Sequence, residues 1–451
     1  MLNDAKQALA SGAVEAKKHN ISIVGLGKLG ACMVAAYASK GHKVIGIDID
    51  QSAVDAINNG QSPVQETDLQ KYISENRERI SAESTYSRAI NESEITFIIV
   101  PTPSTETGSF SVDYVKSACT EIGKVLKQKT GFHLVVVTST VLPGDCENKI
   151  IPVLEESSGK KCGVDFGFCY NPEFIAIGSV IHDLLNPDLF LFGEFDKKSG
   201  DILEEFYSVS SNNGARSVRM SIPSAELAKI SLNHFMTLKI TFANMLAEVA
   251  QAIPGVNVDD VTEALGGDTR IGKKYLRGGL GYGGPCFPRD NRAFAAMAGL
   301  RGISVPFAQI TDTYNKSIID RMVKILAEKT GPEDTIGIVG LSYKPGTGLC
   351  EESQGLIVAK KLAELGRKVT VFEPSGHYHA KTLLGDAVSY CENLDALLDK
   401  ADLVFLTNWD RNNLEIKDKV AGRKITIVDP WRQFPNGSFS APAIYLPLGR
   451  N

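Results

Sequence analysis

The sequence predicts an α/β protein with two doubly wound, parallel-sheet lobes joined by a helical domain that contains one long central helix. Three observations support this prediction. Strand and helix patterns alternate near the N-terminus, a similar alternation returns in the last third, and the stretch between them has helical periodicity without Gly or Pro over residues 224–253.

The first lobe follows a polar, Ala-rich extension over residues 1–18, which we expect to be partly helical. An apolar strand over 21–24, a helix over 31–40 that ends at Gly41, and a strand over 43–48 form a strand–helix–strand unit. Further strands are predicted over 95–100, 134–138, 166–170 and 189–193. The alternation predicts a mostly parallel sheet that is covered on both faces.

The last third repeats this pattern in divergent form. Its predicted strands cover 335–340, 368–373, 401–406 and 425–429, and they resemble the strands of the first lobe. The glycine run that follows the first strand of the first lobe, GLGKLG at residues 25–30, has no counterpart here. The second lobe is therefore expected to bind something other than a dinucleotide. We divide the chain into an extension (1–18), a dinucleotide-binding Rossmann domain (19–215), a helical central domain available for dimer packing (216–315) and a Rossmann-like second lobe (316–451).

The composition excludes several classes of protein. The 451 residues carry a net charge of −5 and are 43% hydrophobic, which argues against a nucleic-acid binder. The eight cysteines are scattered, without CxxC pairs or spacing typical of metal sites, so we expect no disulfides and no metal. No signal peptide or membrane span is evident, and a cytoplasmic protein is predicted.

The first candidate site is the run Gly25-Leu26-Gly27-Lys28-Leu29-Gly30, between the first strand and its helix. Glycines let the backbone approach a pyrophosphate, and the helix N-terminus offers free N–H groups. Asp48, at the end of the next strand, is expected to accept the ribose hydroxyls and to repel a 2′-phosphate, which favours NAD over NADP. The alternative is a tight turn without a ligand.

The second candidate site surrounds Cys286. Five glycines precede it within residues 278–284, as expected where a backbone passes close to a ligand. A helix is predicted to begin near Pro288, so a thiol at its start, beside Arg289, is expected to ionise readily and to act as a nucleophile. Asp290 is expected near the same face. An ordinary buried cysteine in a turn is the alternative.

Residues 283–290, GGPCFPRD, resemble the active-site signature of the UDP-glucose/GDP-mannose dehydrogenase family. Other stretches that resemble the family occur in its order: 58–66 (NNGQSPVQE), 100–103 (VPTP), 139–144 (STVLPG), 171–174 (NPEF), 225–229 (AELAK), 268–272 (DTRIG) and 342–347 (SYKPGT). The resemblance implies a lobe for NAD, a dimerising helical middle and a lobe for UDP.

The resemblance also implies an activity: two hydride transfers to NAD that convert a sugar alcohol to an acid through a covalent thiohemiacetal and thioester. It assigns Cys286 as the nucleophile. By the same resemblance, Lys229 and Asn233 stabilise oxyanion charge, Asp290 and Thr140 position water or relay a proton, and Glu173 is the base for hydrolysis. Thr102, Pro103 and Thr140 are placed at the cofactor. Each has an alternative: Lys229 as a solvated charge, Asn233 as a surface amide, Glu173 as a helix start and Thr140 as a strand residue.

Substrate contacts are implied in the same way. The implied substrate-binding residues are Glu173, Phe174, Lys229, Asn233, Arg270, Tyr282, Gly283, Lys344 and Arg432, of which Arg270 reaches the partner's substrate in a homodimer. For Lys344 and Arg432 the alternative is a surface cation. The chain departs from the family pattern at Ile177, Leu189, Met245 and Glu351, which affects the expected substrate contacts and the subunit interface.

The resemblance favours oxidation of UDP-glucose to UDP-glucuronate, because Phe287 and Pro288 follow the cysteine. GDP-mannose or a UDP-N-acetylhexosamine remains an alternative substrate for the same chemistry. Two other classes stay open: a β-hydroxyacid dehydrogenase, which transfers one hydride without a cysteine nucleophile, and a nucleotide-sugar binder without activity.

Overall fold

The computed structural model describes residues 17–451, so the predicted extension over 1–18 lies outside it except for its last two residues. The chain folds into two compact units. The first contains the chain up to Glu106 together with Phe110–Lys229, and the second contains Thr107–Ser109 together with Ile230–Asn451. Most of the predicted helical middle therefore belongs to the same unit as the second lobe.

The first unit is built on an eight-stranded sheet of order β3-β2-β1-β4-β5-β6-β7-β8. All neighbouring strands are parallel except β6 and β7, which are antiparallel. The strands are β1 Asn20–Val24, β2 Lys43–Ile47, β3 Ile80–Glu83, β4 Ile95–Ile98, β5 Leu134–Val137, β6 Gly167–Tyr170, β7 Phe190–Glu194 and β8 Ser217–Ser221. The mostly parallel sheet predicted from the alternating pattern is confirmed.

Helices cover both faces of this sheet. They are Lys28–Ser39, Gln51–Asn58, Leu69–Glu75, Tyr86–Glu92, Asp113–Leu126, Ile151–Ser158, Val180–Leu185 and Lys197–Ser208, with a 3₁₀ turn at Arg77–Arg79 and a π-helical turn at Cys146–Ile150. Strand β5 shows why both faces are needed: Leu134 and Val136 join one buried apolar cluster, and Val135 and Val137 join another. Successive side chains of a strand point to opposite faces, so a continuous apolar run requires cover on each.

The helix Ile222–Ala252, here called the central helix, has the length that the sequence predicts. Pro223 stands in its first turn, where a proline removes no intrahelical hydrogen bond. Residues up to Lys229 belong to the first unit and the remainder to the second. Within residues 17–451 no helix combines the length and the apolar character needed to cross a bilayer.

The second unit combines the helices with a six-stranded, wholly parallel sheet of order β11-β10-β9-β12-β13-β14. Its strands are β9 Thr335–Val339, β10 Lys368–Phe372, β11 Ser389–Tyr390, β12 Leu403–Leu406, β13 Thr426–Asp429 and β14 Ile444–Pro447. Its further helices are Val258–Gly267, Phe287–Gly299, Pro306–Glu328, Gln354–Glu364, His377–Leu384, Leu394–Leu398 and Ile416–Lys419, with a 3₁₀ turn at Arg411–Glu415. The predicted second lobe is confirmed.

Candidate active site

The glycines between β1 and its helix have three different surroundings. Gly25 has φ +100°, and a Cβ there would lie 2.3 Å from the Ile99 carbonyl oxygen. A Cβ on Gly30 would lie 1.8 Å from the Gly25 carbonyl oxygen, so this position must be glycine for the helix to pack. A Cβ on Gly27 would meet nothing within 4 Å, and no side chain caps the helix Lys28–Ser39. The open space at Gly27 and the helix N-terminus without a side-chain cap fit a pyrophosphate.

Asp48 follows β2, beside this loop. Its carboxylate accepts the Leu26 N–H at 2.5 Å and the Asp50 N–H at 2.9 Å. A carboxylate has about four lone-pair positions, so two bonds leave acceptor capacity for ribose hydroxyls. The residue is half-buried, and its position fits the role that the sequence predicts.

Thr102, Pro103 and Thr140 follow the carboxyl ends of the adjacent strands β4 and β5. The Thr102 hydroxyl donates to the Thr140 carbonyl at 2.8 Å, which brings two of the three predicted residues together. The order of the strands reverses between β1 and β4, and parallel α/β sheets bind ligands at such a switch point. Leu29 is half-buried and Pro103 is exposed.

Glu173 and Lys229 form a pair within the first unit. The Lys229 ammonium donates to the Glu173 main-chain carbonyl at 2.5 Å and lies 4.9 Å from the centre of the Phe174 ring. Burial raises the pKa of the Glu173 carboxyl to about 7, although the charge of Lys229 and the Tyr207 hydroxyl oppose the shift. A carboxyl with this pKa can accept a proton near neutral pH. Lys229 is buried rather than a solvated surface charge.

Cys286 stands at the start of the helix Phe287–Gly299 in the second unit. It is exposed, whereas the other seven cysteines are buried. Its carbonyl accepts the Asp290 N–H at 2.8 Å. The Asp290 carboxylate is buried, accepts the Asn233 amide at 2.6 Å and pairs with Arg289 at 3.0 Å. The structure therefore brings Asn233, Asp290 and Cys286 together, and Asn233 is not a surface amide.

The five glycines of residues 278–284, here called the glycine loop, face protein atoms rather than open space. A Cβ on each would meet the central helix at Gly278, the Trp431 ring at Gly279, the Asn315 side chain at Gly281, the Glu352 carbonyl at Gly283 and the Tyr343 ring at Gly284. The glycines thus permit tight packing of the loop, and their role in a ligand's approach stays a prediction. Tyr282, expected along the substrate, is buried.

The predicted cations of the second unit differ in their surroundings. Arg270 is exposed and pairs with Asp268, and Lys344 is half-buried in the loop after β9. Arg432 is fully enclosed. Its five N–H groups donate hydrogen bonds to the Asp259 carboxylate and to the main-chain carbonyls of Gly278, Pro430 and Leu448. This side chain joins parts of the unit, and its approach to the sugar stays a prediction.

The second lobe keeps two of the three glycine positions that the first lobe uses. Gly340 has φ +93° and corresponds to Gly25. A Cβ on Gly355 would lie 2.6 Å from the Gly340 carbonyl oxygen, just as a Cβ on Gly30 would overlap the Gly25 carbonyl oxygen. Between them runs a long loop in place of the open glycine. The Ser353 hydroxyl caps the next helix, and Glu373 accepts four backbone N–H groups. At this turn the second lobe therefore differs from the first, where Gly27 faces open space.

A cavity of about 540 Å³ lies at the carboxyl ends of β9, β10 and β12. Gly340, Glu373, Asn408, Arg411 and Asn413 contribute to its lining. The order of the strands reverses between β9 and β12, so this is the switch point of the second sheet. We did not predict these residues from the sequence. Their positions at or shortly after the ends of predicted strands were the available signal.

The described residues include no group of three or more His, Cys, Asp and Glu side chains arranged to hold a metal ion.

The chain matches three family models in succession. The NAD binding domain of the UDP-glucose/GDP-mannose dehydrogenase family matches residues 19–210, its central domain matches residues 223–317 and its UDP binding domain matches residues 337–435.

Individual relatives agree with these matches. A GDP-mannose 6-dehydrogenase of Pseudomonas syringae pv. syringae is 33% identical over 421 residues, covering 90% of this chain and 95% of the relative. The UDP-glucose 6-dehydrogenase AglM of Haloferax volcanii is 32% identical over 395 residues, covering 86% and 91%. The structure of a UDP-glucose dehydrogenase from Pyrobaculum islandicum has a TM-score of 0.88 at 32% identity, covering 97% of this chain and 99% of that one.

The matched NAD binding domain contains the loop with the open space at Gly27, so NAD is the cofactor. The protein is a dehydrogenase, and the chain belongs to the UDP-glucose/GDP-mannose dehydrogenase family.

Proposed function

We propose that this protein oxidises the C6 alcohol of UDP-glucose to the carboxylate of UDP-glucuronate through a covalent bond to Cys286. The single observation that carries the proposal is the state of Cys286. It alone of eight cysteines is exposed, and it stands at the start of a helix, bonded through its carbonyl to the Asp290 N–H. A thiol in such a position can act as a nucleophile.

The chemistry balances with two hydride acceptors. NAD supplies hydride acceptance for each of the two oxidations when it is bound. Once the alcohol has become an aldehyde, the Cys286 thiolate adds to its carbon and forms a thiohemiacetal. Loss of the second hydride leaves a thioester. Water then adds to the thioester carbonyl, the C–S bond breaks, and the thiolate returns as the acid leaves.

The other residues that the family resemblance implies have roles in this scheme. The Lys229 ammonium and the Asn233 amide, one turn apart on the central helix, donate hydrogen bonds to the sugar oxygen as negative charge develops. Glu173, with its pKa raised to about 7, accepts a proton from the water that attacks the thioester. Asp290 and Thr140 position water, and Lys344, Arg270 and Phe174 contact the nucleotide sugar.

UDP-glucose is our first candidate substrate because of the structural similarity to the UDP-glucose dehydrogenase from Pyrobaculum islandicum. GDP-mannose is the second candidate, since a GDP-mannose 6-dehydrogenase of Azotobacter vinelandii is 34% identical over 420 residues. Incubation with each nucleotide sugar and NAD, followed by NADH absorbance, decides between them. A preference for GDP-mannose in kcat/KM would replace the first candidate.

The covalent step is tested with Cys286→Ala. We expect this variant to bind NAD with unchanged affinity and to form no acid, because the aldehyde has no sulfur to hold it. In the wild type, two NADH should form for each sugar consumed. One NADH per sugar would indicate a single hydride transfer, as in a β-hydroxyacid dehydrogenase. Acid formation at the wild-type rate by Cys286→Ala would exclude the covalent scheme.

We further propose a homodimer that forms through the central helix, and a reducing, cytoplasmic location. Large apolar side chains on one face of that helix, such as Phe235 and Phe242, are exposed. All eight cysteines are free thiols, which supports a reducing compartment.

A further inference from the structure

Two buried asparagines hold the glycine loop in the same way. Asn244, on the central helix, accepts the Gly279 N–H at 2.7 Å and donates its amide to the Leu280 carbonyl at 3.0 Å. Asn315, on the helix Pro306–Glu328, accepts the Tyr282 N–H at 2.8 Å and donates to the Tyr282 carbonyl at 2.9 Å. Each amide thus forms two opposed hydrogen bonds with the loop backbone, as a neighbouring strand would.

These bonds replace the partners that a strand or helix would supply. The glycine loop has neither structure, and its backbone groups must find other partners once they are buried. Asn244 is 0% exposed and Asn315 is 6% exposed, so water does not substitute easily for either amide. Gln354 adds a bond to the Tyr282 carbonyl at 3.3 Å.

The loop and the asparagines also fit each other sterically. A Cβ on Gly281 would lie 2.2 Å from the Asn315 side-chain oxygen. The backbone can therefore reach the Asn315 amide only because residue 281 is glycine. The packing of the loop and its hydrogen bonds depend on each other, so the loop has one defined path to Cys286.

The position of Cys286 depends on this path. Because its side chain is exposed, the backbone on either side determines most of its placement. After Cys286 the helix Phe287–Gly299 begins. Before it the Gly284 N–H donates to the Glu351 carbonyl at 3.1 Å, and the bonds of Asn315 and Asn244 fix the path by which the loop reaches Gly284.

We propose that Asn244 and Asn315 are positioning residues that direct the Cys286 sulfur to the sugar carbon. The inference rests on the function proposed above. A displacement of about 1 Å at a reacting group can lower a rate by about 100-fold, so the effect should appear in kcat.

The test uses Asn244→Leu and Asn315→Leu, which keep the branching of the side chain and remove both bonds. Asn58→Leu is the matched control, because Asn58 makes the same pair of bonds with Ala82, at 2.9 and 2.8 Å, on a strand of the first sheet. We measure kcat, KM, the melting temperature and the rate of alkylation of Cys286 by iodoacetamide. Alkylation reports on Cys286 because the other cysteines are buried.

We expect both loop variants to lose about 10- to 100-fold in kcat, with KM within about threefold and an altered alkylation rate. Asn58→Leu should lower the melting temperature without either change. If a leucine variant does not fold, Asn244→Asp and Asn315→Asp, which keep the acceptor and lose the donor, take its place.

Unchanged kcat and alkylation in the folded loop variants would overturn the inference, and so would an equal loss of kcat in Asn58→Leu. Failure of the proposed function looks different. In that case complete alkylation of Cys286 would leave the wild-type turnover intact, whatever the asparagine variants do.

Discussion

At the scale of single residues, the environment of Glu173 sets the pH at which hydrolysis can proceed. Burial raises the pKa of this carboxyl to about 7, and the nearby Lys229 only partly offsets the rise. Above this pH the folded protein holds Glu173 as a carboxylate that can accept a proton. Below it the carboxyl is protonated and cannot act as a base.

We therefore expect kcat to rise with pH through about 7. Glu173→Gln should remove this limb of the pH–rate profile and lower kcat at pH 8, because no base remains. The profile is measured from pH 5.5 to 9 by NADH formation under saturating substrate, roughly two units either side of the pKa at which half of the carboxyl is ionised. Glu156→Gln, at an exposed position of the same unit, is the control and should keep the profile. An identical limb in Glu173→Gln would assign it to another group.

The sequence identified Glu173 as a candidate but could not show its raised pKa. The shift comes from burial of the carboxyl in the fold, and the Tyr207 hydroxyl that opposes the shift also belongs to a residue distant in the chain. The sequence likewise could not show the surroundings of Arg432. Its sequence context suggested a free cation, and only the fold reveals that Asp259, far along the chain, uses its guanidinium.

At the scale of elements, two glycines of the turn after β1 have different roles: Gly30 permits packing of the helix, and Gly27 is expected to leave room for the cofactor. Gly30→Ala should lower the melting temperature, since its Cβ would overlap the Gly25 carbonyl. Gly27→Ala should leave the melting temperature unchanged, since its Cβ meets open space, and yet weaken NAD binding where the pyrophosphate approaches. Thermal melting and NAD titration of both variants check this. Equal NAD affinity of Gly27→Ala and the wild type would place the pyrophosphate elsewhere.

The sequence predicted long, uniform elements better than short ones at sheet edges. The sequence predicts the central helix over 224–253, and it covers Ile222–Ala252. Thirty residues with helical periodicity and without Gly or Pro are typical of one long helix. The sequence does not predict the edge strands β3, β8, β11 and β14. They are short and only partly buried, so their sequences lack the continuous apolar run of a central strand. Tertiary pairing, rather than local propensity, makes them strands.

At the scale of the whole molecule, one ion pair joins distant parts of the second unit. Arg432, with no exposed side chain, binds Asp259 at 2.8 and 2.9 Å and also reaches Gly278 and Leu448. Removing the Arg432 guanidinium would take the donor from the carbonyls of Gly278, Pro430 and Leu448 and leave Asp259 with only the more distant Arg450, at 3.8 Å.

Arg432→Met should therefore destabilise the second unit by about 3 kcal/mol, measured as a loss of unfolding free energy in urea. The control is Arg423→Met, which removes an exposed pair with Asp399 and should cost less than about 1 kcal/mol. NAD binding by the first unit should persist in both variants. A cost for Arg432→Met no greater than that of the control would show that the pair contributes nothing to the stability of the unit.

The proposed homodimer depends on a row of apolar side chains along the central helix. Phe235, Phe242, Met245 and Val249 are 56%, 44%, 43% and 50% exposed, and their spacing of seven, three and four residues places them on one face. A contiguous row of exposed apolar side chains is typical of an interface. Mass photometry should show a dimer for the wild type and a 48.7 kDa species for Phe242→Arg/Val249→Arg. Leu365→Arg, at an exposed leucine of the second lobe, should remain dimeric.

Because Arg270 is proposed to reach the partner's substrate, the monomeric variant should also lose turnover, and a fully active monomer would remove Arg270 from the site.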